Sequence, residues 1–392
     1  MRVSFPRRAV PVPWRLTAKN TRTKIPMAYP RSTAAGLRLQ RRPYSTSSSL
    51  GKYTYHIAAS FIAKDRPYDP NRHVFHYDHE TDARPAYARP FRIDSGHDSF
   101  FISQVNGTGA VALGVADGVG GWVDSGVDPG DFSHGLCSYM ADAARDFQTR
   151  DPNGRLTPRK IMQHGYDAVC RDRTIRAGGS TACVAVADPD GTLDVANLGD
   201  SGFLQLRRNA IHRHSEPQTH AFNTPFQLSR VPPSVASRMA AYGGAQLSDL
   251  PEDADVTQHQ VRHGDVLIFA TDGVLDNLFN QDILRIASRI MISTGAWEVT
   301  EAEGVRASDE LTSLTEADDV KNPVTLQSAL ATQIVGFANR ASTNTRLEGP
   351  FAKEVKKYYP YEEWHGGKVD DITVVVAVVD GGSNGVEFRS KL

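Results

Sequence analysis

Four aspartates in this sequence stand directly at the ends of apolar stretches that have the composition of buried strands. They are Asp98, Asp117, Asp272 and Asp370. Four such charges gathered at one rim of a sheet would repel one another strongly at low dielectric. No run of lysine or arginine lies beside any of the four, so divalent cations are the economical source of the missing positive charge. Carboxylate oxygens suit Mg²⁺ or Mn²⁺ rather than zinc.

This donor set has a definite chemical use. Two divalent ions that share a carboxylate would activate a bridging water and would offset the charge of a phosphoryl group. The pattern therefore predicts hydrolysis of a phosphate ester. A single strand-end aspartate would carry little weight, because a strand that ends in an Asp-Gly turn is common.

Asp117 lies at the most distinctive of these positions. The apolar stretch 110–116 leads into it, and residues 118–121 include three glycines, which let a ligand approach the main chain closely. A dinucleotide site is excluded, because the G-x-G-x-x-G spacing counted from Gly118 requires a glycine where Val123 stands. Asp117 would also place a negative charge beside the pyrophosphate.

The elements that must position these aspartates are antiparallel strands and pairs of helices. Asp98 opens one strand and Asp117 closes the next, so antiparallel pairing would bring the two carboxylates together. Apolar residues at helical spacing predict helices that begin near Asp128 and Thr157. Strands are expected at 182–187, 193–198, 203–207, 266–270 and 372–379, and further helices at about 281–292 and 326–339.

Three regions give weaker signals. Residues 53–62 are expected to form an edge strand, and residues 212–237 a long ordered loop. Residues 298–319 hold eight acidic residues and one arginine, which predicts a mobile surface insertion at about 296–322, with a role in docking left open.

The first fifty residues differ in charge from the rest. They hold eleven Arg and Lys and no Asp or Glu, which leaves 33 basic against 45 acidic residues in the remainder. This composition predicts a mitochondrial transit peptide over residues 1–48, and residues 42–45 resemble an arginine-directed processing site. The alternative is a disordered basic tail that contacts nucleic acid or anionic lipid. The acidic remainder argues against a nucleic-acid partner.

Composition bounds the class of protein. With 392 residues, of which 40% are hydrophobic, the chain can bury a full globular core. Its longest apolar run, 372–379, is far shorter than the ~18 residues that a membrane span needs. Three cysteines without a paired spacing indicate neither a disulfide framework nor a zinc site, and favour a reducing compartment.

Taken in order, five stretches resemble the motifs of the PP2C (PPM) family of metal-dependent serine/threonine phosphatases. They are residues 114–122, 179–182, 197–201, 270–273 and 370–373. Residues 118–122 and 222–228 further resemble its mitochondrial PTC7 branch. The resemblance implies an α+β fold, an α-β-β-α sandwich of two mainly antiparallel sheets flanked by helices. It also implies a phosphatase domain over residues 49–385, followed by a tail at 386–392.

The resemblance implies a role for each strand-end residue. Asp117 would bridge two Mn²⁺ or Mg²⁺ ions, and the Gly118 carbonyl would bind one of them. Asp272 and Asp370 would bind the other ion, and Asp98 would act through metal-bound water.

Further residues match the family pattern less closely. Asp200 is the candidate ligand of a third ion, and Arg92 is the candidate phosphate-binding residue. Val119 stands where some members carry a histidine proposed as the general acid. His97, which stands where many members have a glutamate, is the candidate to replace it.

Two functions from different classes follow. The first is an active, monomeric phosphatase of the mitochondrial matrix that acts on phosphoproteins, since relatives of this branch are associated with metabolic enzymes and ubiquinone biosynthesis. The second is a catalytically inactive PP2C-like binding module. Four retained carboxylates favour activity, because an inactive site need not maintain acids that repel one another.

Overall fold

The structure, a computed structural model, describes residues 52–79, 92–106, 108–147, 155–233, 235–237, 248–302, 304–316 and 324–381. The predicted transit peptide at 1–48 and the tail at 386–392 lie outside these residues. Within the described ranges, no helix combines the length and the apolar composition that crossing a bilayer requires.

The described strands and helices include those that the sequence predicts, in the same order along the chain, together with further short elements. The strands are β1 (Thr54–Ile62), β2 (Val74–His76), β3 (Asp98–Gln104), β4 (Val111–Asp117), β5 (Gly178–Ser180), β6 (Ala182–Ala187), β7 (Thr192–Leu198), β8 (Gly202–Arg207), β9 (Ala210–His214), β10 (Thr219–Ala221), β11 (Thr224–Pro225), β12 (Leu228–Arg230), β13 (Asp255–Gln260), β14 (Val266–Ala270), β15 (Trp297–Thr300), β16 (Gly304–Ala307) and β17 (Ile372–Asp380). The α-helices are α1 (Pro129–Arg145), α2 (Pro158–Arg171), α3 (Asp272–Leu275), α4 (Asn280–Ser293), α5 (Leu311–Thr315), α6 (Leu326–Ser342) and α7 (Pro350–Tyr358). Short 3-10 helices span Gly120–Ser125 and Pro251–Asp253.

Two sheets form the centre of the sandwich. One has six strands in the order β2-β1-β17-β14-β8-β9, and the other has five in the order β13-β7-β6-β4-β3. The neighbouring strands within both sheets pair antiparallel. Their facing surfaces bury one apolar cluster, in which Phe100 and Val115 of the five-stranded sheet meet Phe269 and Val375 of the six-stranded sheet.

Helices cover both outer faces. Helix α1 begins at its N-cap Asp128, whose side chain accepts a hydrogen bond from Gly130 N, and α2 begins at Thr157 in the same manner. Leu136 of α1 and Ile161 of α2 pack on the outer face of the five-stranded sheet. Helices α4 and α6 cover the other sheet. The α-β-β-α sandwich predicted from the sequence is therefore confirmed.

Strand β17 shows how one strand serves both layers. Every residue of β17 is buried, and its side chains alternate between the two apolar clusters. Val374 and Val376 face the helices, whereas Val375 and Ala377 face the other sheet. This alternation is the two-residue period of a strand that is covered on both faces.

Three weaker expectations need correction. Strand β1 is not an edge strand, because it pairs with both β2 and β17. The region expected as a loop at 212–237 contains the short strands β10, β11 and β12. The acidic stretch forms the β15-β16 hairpin and α5, and Trp297 and Leu311 lie in the core. Its described part is thus anchored in the core rather than lying wholly on the surface.

Candidate metal centre

The register of β3 and β4 places Asp98 directly opposite Asp117, as the antiparallel arrangement of the sequence predicts. The end of β4 is held firmly. Asp117 N donates to Thr181 Oγ1 at 3.1 Å, and the Asp117 carbonyl oxygen accepts from Thr181 N at 2.9 Å and from Ser180 Oγ at 2.8 Å. Residues 180 and 181 therefore fix the backbone that carries the Asp117 carboxylate.

Gly118 lies where the chain passes close to helix α1. Its N–H donates to the His97 carbonyl oxygen at 3.1 Å. A Cβ atom at this position would lie 2.9 Å from the backbone of Pro129, so a larger residue would displace the start of the helix. Only glycine fits this approach, which keeps Asp117 at the rim.

Asp200 and Asp272 bring two further carboxylates to Asp117. Oxygens from the three side chains all lie within 4.8 Å of one another. Asp272 begins α3 immediately after β14, whereas Asp200 lies in the turn between β7 and β8, where Gly199 has a φ of +100°. The cluster therefore draws residues from both sheets.

The electrostatics of this cluster are unfavourable without added positive charge. Burial raises the pKa of Asp98 well above its usual value, and so do neighbouring acids such as Asp371. Burial and the repulsion of Asp272 raise the pKa of Asp117 and of Asp200 in the same way. The Oδ1 atoms of Asp98 and Asp200 are shielded from solvent and find no hydrogen-bond partner among the described residues. Orphaned carboxylate oxygens that converge in this way fit a divalent cation.

Thr271 orients Asp98, a role that sequence reasoning missed. Its hydroxyl donates to Asp98 Oδ2 at 2.7 Å and accepts from Thr373 N at 3.0 Å. One threonine thereby links β3 to both β14 and β17. The available signal was a threonine immediately before Asp272, and only the fold shows that its hydroxyl is buried and faces Asp98.

Asp370 lies beside a positive charge that the sequence analysis does not predict. Lys368 Nζ lies 2.5 Å from Asp272 Oδ2, 2.7 Å from Asp276 Oδ2 and 3.2 Å from Asp370 Oδ2. The premise that no basic residue compensates the strand-end acids is therefore wrong for Asp272 and Asp370. Asp276, at the end of α3, is a further carboxylate that the sequence analysis missed.

The lysine divides the carboxylates into two electrostatic groups. Burial opposes ionisation of Asp272, but the Lys368 ammonium holds the pKa of its carboxyl below its usual value. Burial raises the pKa of Asp276 to about 7 even though Lys368 lies beside it. Burial and the charge of Asp272 raise the pKa of Asp370. Asp272 thus links the three-carboxylate cluster to the lysine by direct contact.

Asp371 is a structural residue, although it neighbours Asp370. Its carboxylate accepts from Lys64 N at 2.6 Å and from His97 N at 2.8 Å. The His97 ring Nδ1 lies 3.8 Å from Asp371 Oδ2, and its side chain is about one-third exposed. The structure therefore brings His97 to the rim through Asp371.

Arg92 lies over the N-terminus of α1. Its guanidinium contacts Asp128 at 2.9 Å and Asp131 at 3.4 Å. It also covers Gly130, where a Cβ would meet Arg92 Nη1 at 2.7 Å. The candidate phosphate-binding residue is therefore held next to Pro129, which contacts Gly118, and is paired with two acids.

A hydrogen bond between two side chains joins the two stretches that resemble the PTC7 branch. Trp122 Nε1 donates to Gln227 Oε1 at 3.0 Å. Gly179 lies beneath this pair, where a Cβ would approach Gln227 Oε1 to 2.3 Å. The glycine-rich turn after Asp117 is thus tied to the segment before β12.

Comparison with known proteins agrees with this geometry. The sequence profile of the family described as Protein phosphatase 2C matches residues 94–314. The chain is 32% identical to Protein phosphatase 2C homolog 7, mitochondrial, of Saccharomyces cerevisiae over 86% of each chain. It is 36% identical to the protein phosphatase PTC7 homolog fig of Drosophila grimshawi, with 73% of this chain and 80% of that protein covered.

Two further comparisons extend this result. The PTC7 homolog of Xenopus laevis is 34% identical, with 72% of this chain and 81% of that protein covered. The X-ray structure of the photosystem II phosphatase PBCP has the same fold, with a TM-score of 0.56 at 22% identity over 84% of this chain and 100% of that one. The chain therefore belongs to the protein phosphatase 2C family and is a metal-dependent serine/threonine protein phosphatase.

Proposed function

We propose that this chain hydrolyses phosphoserine and phosphothreonine in mitochondrial proteins and uses two Mn²⁺ or Mg²⁺ ions to do so. The observation that carries the proposal is the convergence of Asp117, Asp200 and Asp272 within 4.8 Å. The orphaned oxygens of Asp98 and Asp200 beside them support it. Such a group of acids needs positive charge, and a phosphoryl substrate needs the same charge to offset its own.

We assign the roles as follows. Asp117 would be a ligand of both ions, the Gly118 carbonyl of one of them, and Asp272 and Asp370 of the other. Asp98 would act indirectly, through water, and Asp200 would hold a third ion. When bound, the ions would supply an activated water and would neutralise phosphoryl charge.

The chain itself contributes position and rigidity. Thr271 orients Asp98 at 2.7 Å, and Ser180 holds the Asp117 carbonyl at 2.8 Å. Arg92 is our candidate for binding phosphate from the α1 side of the rim, where Asp128 and Asp131 now hold it.

The leaving oxygen needs a proton that Val119 cannot supply. We expect the chemical step to slow steeply as leaving-group pKa rises across a series of aryl phosphates, because general acid catalysis contributes ~10²- to 10⁴-fold where it is present. The His97→Ala variant should show the same slope. A shallow dependence in the wild type that steepens in His97→Ala would instead identify His97 as the acid.

The direct test is hydrolysis of a phosphoserine peptide by the full chain with Mn²⁺ or Mg²⁺ and with excess chelator. We expect turnover only with metal, and loss of turnover in Asp117→Asn. Asp190→Asn is the matched control, since Asp190 lies in an exposed turn at the opposite end of β7 from Asp200. Turnover in chelator would contradict the proposal. Tight binding of the phosphopeptide without turnover would favour the inactive binding module.

We propose a mitochondrial matrix location for the enzyme. The acid-free basic composition of residues 1–48 supports import, and the Saccharomyces cerevisiae relative is named mitochondrial. The mature protein isolated from mitochondria should begin downstream of Tyr44. Recovery of the intact amino terminus would contradict the transit peptide.

The finer proposal is that the substrates are metabolic proteins, including those of ubiquinone biosynthesis. It rests on the resemblance to the PTC7 branch. Quantitative phosphoproteomics of mitochondria with and without the protein should show phosphorylated serine and threonine accumulating on such proteins. An unchanged mitochondrial phosphoproteome would overturn it.

A further inference from the structure

Three carboxylates surround the Lys368 ammonium in the way that carboxylate ligands surround a metal ion. Its ammonium contacts Asp272 at 2.5 Å, Asp276 at 2.7 Å and Asp370 at 3.2 Å, and its side chain is only 15% exposed. An exposed ion pair needs only one carboxylate for its ammonium, whereas this buried ammonium is surrounded by three. Two of the three, Asp272 and Asp370, are the residues to which we assign one divalent ion.

The backbone of Lys368 is fixed. Asn277 Oδ1 accepts from Lys368 N at 2.9 Å, and Asn277 Nδ2 donates to the Lys368 carbonyl at 2.8 Å and to the Gly273 carbonyl at 2.9 Å. A single asparagine thus locks the lysine to the helix that carries Asp272. The ammonium also lies 5.2 Å from the centre of the Phe351 ring, which adds a cation–π contact. The surrounding residues therefore hold Lys368 in a fixed position at the rim.

A lysine at this place must oppose a divalent ion. The ammonium contacts one carboxylate oxygen of Asp272 and one of Asp370, the two residues proposed to hold the ion, and its own charge repels a second cation in a site of low dielectric. Asp276 differs from the other two acids, because no metal role is assigned to it. It can keep hold of the ammonium at 2.7 Å while the other two acids turn to an ion.

We propose that Lys368 is a built-in competitor of the divalent ion at Asp272 and Asp370, and that Asp276 retains the lysine when the ion binds. This inference rests on the proposed metal site. Its consequence is regulatory: the lysine stabilises the carboxylates in the absence of metal and lowers the affinity for it, so that phosphatase activity follows the free concentration of the ion.

The test compares Lys368→Met with Lys64→Met. Lys64 also lies near Asp370, at 3.8 Å, but its side chain is 50% exposed, which makes it the matched control. Mn²⁺ is titrated calorimetrically into the full chain, and thermal unfolding is followed in excess chelator. We expect Lys368→Met to bind Mn²⁺ at least ~10-fold more tightly, because a buried like charge is removed, and Lys64→Met to change affinity less than ~3-fold.

The stability readout has the opposite sign. In chelator, Lys368→Met should unfold at a lower temperature than the wild type, because three carboxylates lose their shared cation. Lys368→Gln should behave in the same way, and it serves if the methionine variant does not fold. Unchanged or weaker Mn²⁺ binding, or a higher unfolding temperature in chelator, would overturn the inference.

A double-mutant cycle tests the role of Asp276. Asp276→Asn should weaken Mn²⁺ binding in the wild type, because the Lys368 ammonium then interacts more strongly with the carboxylates of Asp272 and Asp370. The same change should matter less in Lys368→Met. Equal effects in the two backgrounds would remove Asp276 from the proposal.

If the wild type binds no Mn²⁺ at all, the proposed function fails together with this inference. Normal Mn²⁺ binding by the wild type that Lys368→Met leaves unchanged overturns the inference alone.

Discussion

Strand β14 has an aspartate near each end, and the fold gives the two carboxylates opposite surroundings. Asp265, before the strand, is fully buried and accepts from Arg207 Nε at 2.8 Å and Arg207 Nη2 at 2.7 Å. Gln205 Nε2 at 2.7 Å and Arg262 N at 2.9 Å complete its set of donors. This acid is neutralised and hydrogen-bonded by the protein itself.

Asp272, after the same strand, faces other acids. Its oxygens lie within 4.8 Å of those of Asp117 and Asp200, and Lys368 is shared between it and two further carboxylates. A strand-end aspartate is thus no sign of a metal site by itself. The distinction lies in the donors: a carboxylate with a full set is structural, whereas carboxylates that face one another with orphaned oxygens require an added cation.

The largest expected effect comes from Asp272→Asn. Metal ions supply several kcal/mol of transition-state stabilisation, so loss of a ligand should lower kcat/KM for a phosphoserine peptide by ~10³-fold. The comparison is made per folded molecule, because the substitution also removes the nearest of the three carboxylates around Lys368. Activity within tenfold of the wild type at saturating Mn²⁺ would remove Asp272 from the metal centre.

Asp265→Asn should show the reverse pattern. Arg207 would keep a buried charge without its partner, and breaking such a pair costs about 3 kcal/mol or more. Denaturant unfolding should therefore show a large loss of stability, while kcat/KM per folded molecule stays near the wild-type value. A catalytic defect larger than the stability defect would show that the two ends of β14 are not separable.

Thr271→Val should give a smaller effect on the metal itself. The substitution removes the hydroxyl that lies 2.7 Å from Asp98 Oδ2 and keeps nearly the same shape. Loss of such an orienting hydrogen bond typically costs ~10- to 100-fold in metal affinity. Calorimetric titration with Mn²⁺ measures it. Thr271→Ser retains the hydroxyl and should bind nearly as the wild type does, and equal weakening in both variants would contradict the assignment.

His134→Gln should give the smallest effect, because the His134 side chain carries no permanent charge. It is buried, and its Nδ1 atom has no hydrogen-bond partner among the described residues. Burial lowers its pKa to about 4 from 6.5, and its Nε2 lies 3.2 Å from the Gly96 carbonyl oxygen. The unfolded chain therefore binds a proton that the folded chain rejects, so stability falls as pH drops below 6.5. The resulting loss between pH 7 and 5.5 is about 1 kcal/mol. Between pH 7 and 5.5, the free energy of unfolding of His134→Gln should therefore fall by about 1 kcal/mol less than that of the wild type, as measured by denaturant titration. The same dependence of stability on pH in both proteins would contradict a buried neutral imidazole.

The parts of this account that depend on local pattern were predictable from sequence. Antiparallel neighbours β3 and β4 follow one another in the chain, so the pairing of Asp98 with Asp117 could be foreseen. Asp272 and Asp370 were recognisable because each abuts a continuous apolar strand. These inferences need only the period of a strand and the order of elements.

The remainder depends on contacts between distant segments. Strand β1 was expected at an edge because its partner β17 lies more than three hundred residues later. Lys368 lies two residues before Asp370 in the sequence, but its contact with Asp276 arises only once α3 packs against the segment before β17. Asp265 and Asp272 look alike in the sequence, since the donors of Asp265 come from β8 and from a neighbouring turn.

The most direct test of the metal centre is thermal unfolding of the wild type and Asp117→Asn, each with excess chelator and with saturating Mn²⁺. Because burial and neighbouring acids raise the pKa of Asp117, its charge destabilises the metal-free protein, and Asp117→Asn should unfold at a higher temperature than the wild type in chelator. In Mn²⁺ the order should reverse, since the wild type gains binding energy that the variant loses. A variant that is less stable than the wild type by the same amount in both conditions would contradict the account.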